Sequence, residues 1–542
     1  MFFRSPLLST SLLTLPALIY SQSTLTPSLQ SYNKPAPANG YYIDVADTAK
    51  GVAAPLPEGF VAYSIEFAYF PDFAGNRSEP NTFSDNLLNN LRDIQGTKPY
   101  IRVGGNTQDY ALYNASLKTA TFGIVVPSRS PDYPYILYIG PSYFESYETW
   151  PGTRFSHGFN LGKNGTVGRQ TLLATAPLAC KALGRDKLYY WELGNEPDLY
   201  KTSAQGVVRP ANWTEEDYIA EWKSGTNAAE SVFRRVCPEL TGYSRNRWLA
   251  PSFAGTSNSL NDVTTWKDGL DSAHNIALDS IHNYIGGATQ PGVTLQGTLM
   301  NHTKTTSSVD NLIALRNNLS YTGVPFILGE TNSLYNEGAP GLSNSFGAAL
   351  WGVDFNLYCA SQGIRRVHMH QGTDYRYASW QPVDTNKTTK GTKAPYYGNI
   401  AVANMLGDLT KSEVQIKNLL LKKEREAAYA AYVNGKLKRV LVINMVAYNY
   451  SVPDPGKRPT STYSFKLPES CSGIGVANYL QANGSDAITG ITWNGISYNY
   501  ELDSGKPKLL GNVTKNTPLY ISGGVLNVEL RDSEAAMVNL KC

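Results

Sequence analysis

The sequence predicts an α/β protein, a (β/α)8 TIM barrel over residues 60–395 followed by an antiparallel β-sandwich over residues 396–542. Three observations carry this expectation. Eight apolar, strand-like runs alternate with helix-sized connections over roughly three hundred residues. Two of those runs lead into Gly194-Asn195-Glu196-Pro197 and Gly329-Glu330-Thr331-Asn332, which put a carboxylate where the chain leaves the sheet. Past Pro395 the pattern changes to short alternating runs separated by Gly, Pro, Asn and Ser, the texture of packed antiparallel sheets.

At the N-terminus, Arg4 supplies a short basic region, residues 7–20 are apolar with small side chains, and Ser21 or Ser23 stands where a cleavage site would end. Residues 1–21 are therefore expected to be a secretory signal peptide and the protein to be extracellular. Pro6 and Pro16 make the same stretch a poor membrane span, and no later stretch reaches spanning length, so no membrane association is expected. Residues 22–59 read as an N-terminal arm that partly joins the sandwich through a strand at 41–45. Ten Asn-x-Ser/Thr sequons, at Asn76, Asn114, Asn164, Asn212, Asn301, Asn318, Asn386, Asn449, Asn483 and Asn512, suit a glycosylated secreted chain.

The barrel strands are expected at 60–69, 100–104, 135–139, 188–193, 248–253, 278–284, 325–328 and 364–369. Helices at 85–94, 169–183, 215–236, 309–318 and 345–361 fill gaps between them. On this count Glu196 ends strand four and Glu330 ends strand seven. The sandwich strands are expected at 427–434, 440–446, 462–467, 486–493 and 519–530.

Composition excludes several functions. The 47 basic and 44 acidic residues leave a net charge of +3 without a basic run, so no nucleic-acid partner is expected. Five scattered cysteines fit neither a zinc ribbon nor a redox CxxC; Cys471 and Cys542, in one strand-rich region, are expected to pair, and the odd number leaves a thiol over. His368-Met369-His370 alternates on a strand but has no third ligand in view, so no metal and no cofactor are expected. The 36 Tyr and nine Trp are consistent with sugar-stacking surfaces, although most are expected in the core.

Two glutamates at strand ends are what hydrolysis of a glycosidic bond requires, one carboxyl to protonate the leaving oxygen and one to attack the anomeric carbon or activate water. Around them, Glu192 is expected to be a buried structural acid, Asp198 a turn or cap, and Arg102 the partner of a carboxylate near the barrel mouth.

Taken together, Trp191-Glu-Leu-Gly-Asn-Glu-Pro197, Arg102-Val-Gly-Gly-Asn106, His282-Asn-Tyr284 and Leu328-Gly-Glu-Thr-Asn-Ser-Leu-Tyr335 resemble glycoside hydrolase family 79, and within it the microbial and fungal β-glucuronidase branch related to heparanase. The likeness spans nearly all of the chain after the leader. It implies that Glu196 is the general acid/base and Glu330 the nucleophile of a retaining double displacement. It also implies that Asn195 bonds the sugar 2-OH, and that Glu66, Tyr284, Tyr335 with the backbone near Glu337 and Gly338, and Tyr377 surround the glucuronate carboxyl. Asn106 and His282 belong to the same motifs and are expected in the substrate site. An acid such as Glu66 beside a bound carboxylate requires a proton on one of them, which favours an acidic working pH.

The expected activity is an exo-acting retaining β-glucuronidase releasing terminal glucuronate, or its 4-O-methyl form, from glycans or small glucuronides. Two other readings remain open from sequence: an endo-acting, heparanase-like enzyme, disfavoured by the lack of a Lys/Arg cluster for a sulfated polymer, and a carbohydrate-binding protein without catalysis, disfavoured by the presence of both glutamates.

Overall fold

A computed structural model describes residues 37, 40–202, 206–240, 242 and 247–542. The expected signal peptide lies outside the described residues. No helix among the described residues is long and apolar enough to cross a membrane.

Eight parallel strands close into a barrel: β1 (Val61–Glu66), β2 (Ile101–Gly104), β3 (Phe155–Phe159), β4 (Leu188–Leu193), β5 (Trp248–Phe253), β6 (Ile276–Gly287), β7 (Phe326–Tyr335) and β8 (Val367–Gln371). Strands of such a barrel are packed from inside by one another and from outside by helices, so they read as apolar throughout. Seven of the expected strands coincide with barrel strands. The exception is 135–139. Pro134–Ile139 alternates buried and exposed residues and pairs with Ala111–Tyr113 and Thr121–Val125 in a separate three-stranded sheet, which grows out of the connection after β2. The third barrel strand is instead Phe155–Phe159, buried along its whole length between β2 and β4. The strand numbering survives this exchange, so Glu196 follows β4. Glu330 lies within β7 rather than at its end, because β7 runs on past it to Tyr335 beside a lengthened β6.

The five expected helices are present as Thr82–Gln95, Gly165–Lys187, Glu215–Val236, His302–Asn318 and Phe346–Ser361. Local chemistry sets their starts: the Asn81 side chain accepts from the Ser84 amide, Thr214 and Asp217 form a capping box, and Ser345 accepts from the Ala348 amide. After β8 comes a further helix, Ala394–Leu406, so the change of texture at Pro395 falls inside a barrel helix and the first sandwich strand begins only at Val414.

The C-terminal region is an antiparallel sheet folded into two layers. Thr460–Lys466 and Val525–Arg531 form one layer, extended by Ile43–Asp44, which pairs parallel to Thr460–Lys466. Val414–Leu419, Glu426–Val433, Lys436–Asn444, Glu534–Asn539 and Ile474–Gln481 form the other, and Thr517–Ser522 joins the two. Phe465, Leu526 and Val528 meet Val440, Val442 and Ala536 in the core between the layers. On the outer face of the second layer, Tyr429, Leu441 and Met537 merge with the apolar core of the barrel, and the Tyr429 hydroxyl donates to Asp354 Oδ1 at 2.6 Å from the barrel helix Phe346–Ser361. The expected strand at 486–493 shrinks to Thr492–Trp493, and that at 519–530 is a hairpin turning at Gly523-Gly524.

Cys471 pairs with Cys542 as expected, Cys180 pairs with Cys237, and Cys359 is the buried free thiol. The sequon at Asn301 has a structural use: its buried side chain caps the helix His302–Asn318 by accepting from the Lys304 amide and donates to Glu424.

Candidate active site

The site lies at the C-terminal mouth of the barrel, where the βα connections converge. Arg102 on β2 is its centre. The guanidinium is fully buried and its donors fan out to Glu192 Oε2 (Nε, 2.9 Å), Ser64 Oγ (Nη1, 3.1 Å), Glu330 Oε2 (Nη1, 2.6 Å) and Asn195 Oδ1 (Nη2, 2.8 Å). The neighbouring strands β1, β4 and β7 are thereby referred to one planar group whose geometry is rigid. Glu192 is the structural acid the sequence suggested: it also accepts from Ser252 Oγ at 2.6 Å.

Glu330 reaches its position through an irregularity in the neighbouring strand. The register between β6 and β7 slips between Ile281 and His282, so that His282 stands opposite Glu330. Two residues on, the Tyr284 hydroxyl donates to Glu330 Oε1 at 2.7 Å, and His370 Nδ1 on β8 lies 3.5 Å from Oε2. Burial alone would raise the pKa of this carboxyl, but the basic groups His370, His282 and Arg102, with the Tyr284 hydrogen bond, outweigh it and hold Glu330 well below the usual carboxylate range. It is an ionised, oriented carboxylate.

Glu196 follows β4 in the left-handed region, with φ 51° and ψ 50°, and its amide donates to Ser252 O at 2.9 Å. Backbone of this kind in a residue other than glycine is strained and is retained where the surroundings over-determine it. The side chain meets His282 Nδ1 at 2.9 Å. Burial and the nearby charge of Glu330 push its carboxyl up to about 8, against the opposing effect of Arg102 and His370. Burial also lowers His282 to about 4, so the imidazole is neutral near pH 7. The two glutamates are thus driven apart, one ionised and the other carrying a proton, by environments a few ångströms from each other.

The remaining expected residues, Tyr335 excepted, are linked to one another around this pair. Asn195 donates from Nδ2 to Asn106 Oδ1 at 3.0 Å, and Asn106 donates to the Tyr133 hydroxyl at 3.1 Å. Tyr377 is buried and hydrogen-bonded to Tyr284. Glu66, at the end of β1, accepts from the Thr107 amide at 2.8 Å and from its hydroxyl at 2.5 Å, and takes the Tyr375 hydroxyl at 3.1 Å, with His370 Nε2 at 3.3 Å. Gly105 permits this, since a Cβ there would stand 2.7 Å from a Glu66 oxygen. Gly338, at φ 79°, packs against Ser343 and the Tyr377 amide, where a Cβ would come within 3.0 Å of that nitrogen. Tyr335 stands apart: it is 46% exposed and its ring lies over Gly287 at the rim. Asp198 is a cap, accepting from the Ala254 amide at 2.9 Å and Asn258 Nδ2 at 2.7 Å.

Sequence reasoning passed over His370, Ser64, Tyr133, Tyr375 and Ser252. The alternation in His368-Met369-His370 was the one visible signal, and the reason for it is not a metal: His368 Nδ1 meets Leu328 O lower in the barrel, while His370 bridges Ser64, Glu66 and Glu330. Among the described residues, one group could geometrically hold a metal ion, namely Glu196, His282 and Glu330, each with an atom within 4.8 Å of the others. Arg102 already supplies Glu330 with a cation at 2.6 Å, and a proton-bearing Glu196 is a poor metal ligand, so the donor set fits two-carboxylate chemistry better than a metal site.

Known proteins resemble this chain along most of its length. Residues 428–537 match the model of the glycosyl hydrolase family 79 C-terminal beta domain. A beta-glucuronidase of Aspergillus niger is 58% identical over 95% of this chain and 96% of its own length. The chain belongs to glycoside hydrolase family 79. A second family relative, a beta-glucuronidase of Neurospora crassa, is 53% identical over 89% of this chain and 92% of its own. Among solved structures, a 4-O-alpha-L-rhamnosyl-beta-D-glucuronidase from Fusarium oxysporum, in complex with Rha-GlcA, superposes with a TM-score of 0.75 at 25% identity, covering 92% of this chain and 100% of that one. A family 51 arabinofuranosidase from Bifidobacterium longum shares the fold, with a TM-score of 0.59 at 13% identity. This family 79 chain is accordingly a glycoside hydrolase.

Proposed function

We propose that this glycosidase is a secreted, retaining exo-β-glucuronidase that removes terminal β-linked glucuronate from glycans or small glucuronides. The observation that carries the reading is the spacing of Glu196 and Glu330, whose nearest oxygens lie within 4.8 Å of each other, with burial and the neighbouring carboxylate pushing Glu196 up while nearby basic groups hold Glu330 down. A spacing this short suits direct attack by one carboxylate, whereas an inverting pair stands about 6.5–9.5 Å apart to admit a water.

In the proposed cycle, Glu330, already ionised and held by Arg102 and Tyr284, attacks the anomeric carbon while Glu196 delivers its proton to the departing glycosidic oxygen. The glycosyl ester on Glu330 is then hydrolysed by a water that Glu196, now a carboxylate, deprotonates. In this reading Asn195, held by Arg102 and Asn106, bonds the 2-OH, a contact that strengthens as the oxocarbenium-like transition state forms.

The test is release of p-nitrophenol from its β-glucuronide by wild type, Glu330→Ala and Glu196→Ala, the last with added azide. Activity in wild type, loss in both variants and formation of β-glucuronyl azide by Glu196→Ala are expected. An α-configured azide, or no rescue, would remove the retaining assignment; an inactive wild type would remove the glucuronidase reading.

A further inference from the structure

Asn195 and Glu196 ride on one short turn after β4, and three consecutive amides of that turn are each bonded to a different neighbour. Gly194 N donates to Phe159 O at the end of β3 (2.9 Å), Glu196 N donates to Ser252 O on β5 (2.9 Å), and Asn195 N donates to Asp109 Oδ2 (2.9 Å). Two of these acceptors are main-chain carbonyls. The third is a side chain, and therefore the one that a substitution can reach.

Asp109 closes the turn Asn106–Asp109 that follows β2, and its side chain is buried. Besides the Asn195 amide, Oδ2 accepts from the Tyr200 hydroxyl at 2.5 Å, while Oδ1 accepts from the amides of Leu161 and Gly162 at 2.9 and 3.0 Å. Two donors on each oxygen fill the lone pairs of an ionised carboxylate. Burial raises the pKa of this group, and the hydrogen bonds pull against that rise. The connections after β2, β3 and β4 thus meet on one carboxyl group. Arg209 holds the same partners from the other side: it donates to Leu161 O at 2.8 Å and Gly162 O at 3.0 Å, and its guanidinium lies 5.2 Å from the centre of the Tyr200 ring. Two glycines make the approach possible. A Cβ on Gly162 would stand 2.7 Å from Asp109 Cβ, and one on Gly194, at φ 85°, would stand 3.0 Å from Leu161 Cβ and 3.1 Å from the Tyr200 hydroxyl.

We propose that Asp109 is a positioning residue for the acid: by holding the Asn195 amide it sets the turn from which Glu196 aims its carboxyl at the glycosidic oxygen. This rests on the reading of Glu196 as the acid of a glucuronidase. The left-handed backbone of Glu196 persists only where its surroundings impose it, and here its own amide and the one before it are both tied down. Asp109→Asn keeps the size of the side chain but turns one oxygen into an NH2 donor. On the side of Leu161 and Gly162 that NH2 would face two amides that can only donate, whereas on the other side the Tyr200 hydroxyl can turn to accept. The NH2 therefore falls beside Tyr200, where it opposes the Asn195 N–H and leaves that amide without its acceptor.

The experiment compares kcat/KM for phenyl β-glucuronide, whose leaving oxygen needs a proton, with kcat/KM for 2,4-dinitrophenyl β-glucuronide, whose leaving group departs as a stable anion. The proteins are wild type, Asp109→Asn, Tyr200→Phe, Gly162→Ala, Glu196→Ala and the double variant Asp109→Asn, Glu196→Ala, each checked for folding by thermal unfolding. Asp109→Asn is expected to lose about 100-fold on the phenyl substrate and about tenfold less than that on the dinitrophenyl one. Tyr200→Phe, which leaves the Asn195 bond in place, should keep the wild-type ratio of the two substrates. Adding Asp109→Asn to Glu196→Ala should leave the ratio where Glu196→Ala puts it, because no acid remains to be aimed. An equal fall on both substrates, the mark of a role in folding alone, overturns the proposal, as does a further change of ratio in the double variant. Should Asp109→Asn not fold, Gly162→Ala, which displaces Asp109 without removing it, decides: a ratio shifted in the same direction supports the proposal and a wild-type ratio overturns it. Absence of turnover of both substrates by wild type overturns the glucuronidase reading itself, and this inference with it.

Discussion

Arg102 Nη1 binds Glu330 Oε2 at 2.6 Å while Nε of the same guanidinium binds Glu192 Oε2 at 2.9 Å, with all three side chains withdrawn from solvent. One cation serves two buried anions, and the second anion keeps the cation in place for the first. Removing it as Arg102→Met should cost about 3–5 kcal/mol in unfolding free energy, because both carboxylates would be left buried without the guanidinium's compensating charge. Arg102→Lys keeps the charge but cannot span Glu192, Glu330 and Asn195 together, so the chain should fold with kcat lowered about 100-fold. Its acid limb should also move up toward the ordinary glutamate range. An unchanged acid limb in Arg102→Lys would mean that the guanidinium does not hold Glu330 ionised.

Tyr284 makes a narrower contribution. Its hydroxyl donates to the Glu330 oxygen that Arg102 leaves free. Hydrogen bonds to a charged group are worth about 1.5–3 kcal/mol, so Tyr284→Phe should lower kcat roughly 10- to 100-fold and shift the acid limb upward with little loss of stability. If the whole effect appeared in KM with the acid limb unmoved, the hydroxyl would be a binding group only.

Stability should fall as pH rises from about 6.5 to 8. Asp198, Asp262, Glu196 and Glu337 are all raised to about 8, chiefly by burial, so the folded chain holds protons that the unfolded chain has released. Stability from a raised carboxyl is fullest below its unfolded pKa and is lost as pH climbs to the folded one. The buried neutral histidines, His157 and His368 lowered to about 3 and His282 to about 4, act in the opposite sense only below about 6.5, where the unfolded imidazoles take up protons. Melting temperatures measured at pH 6.5, 7.2 and 8 should therefore descend; a flat or rising series would show that those acids are ionised in the fold.

The barrel and its two glutamates are legible because they rest on local signals: apolar runs, and turn residues directly after them. What is not legible is whatever depends on distant partners. Nothing near His370 in sequence indicates that Glu66, 304 positions away, stands at its Nε2. The misplaced third strand has a local cause. Pro134–Ile139 looks more like a strand than Phe155–Phe159, which carries a Ser, a His and a Gly, yet its alternation belongs to a sheet with a wet face, and burial on both sides is what marks a barrel strand. Tyr335 lies further out than its motif suggests for a related reason. Three residues beyond Asn332 the strand continues, and pairing with Gly287 carries the ring out to the rim.

The cysteines offer the last prediction. Cys180, in the helix Gly165–Lys187, is joined to Cys237, which caps the helix Glu215–Val236, closing a span of 57 residues; Cys471–Cys542 ties the C-terminus back to the sandwich. Burial raises the Cys359 thiol far above its ordinary range, which keeps it protonated and unreactive. Peptide mapping without reductant should recover both linked pairs, with Cys359 resistant to iodoacetamide until the chain is unfolded. The double variant Cys180→Ser, Cys237→Ser should lose about 2–4 kcal/mol of stability through the unfolded chain's regained freedom, with the pH profile of catalysis unmoved because neither cysteine touches the site. Alkylation of Cys180 in the native, unreduced protein would show that this crosslink is not formed.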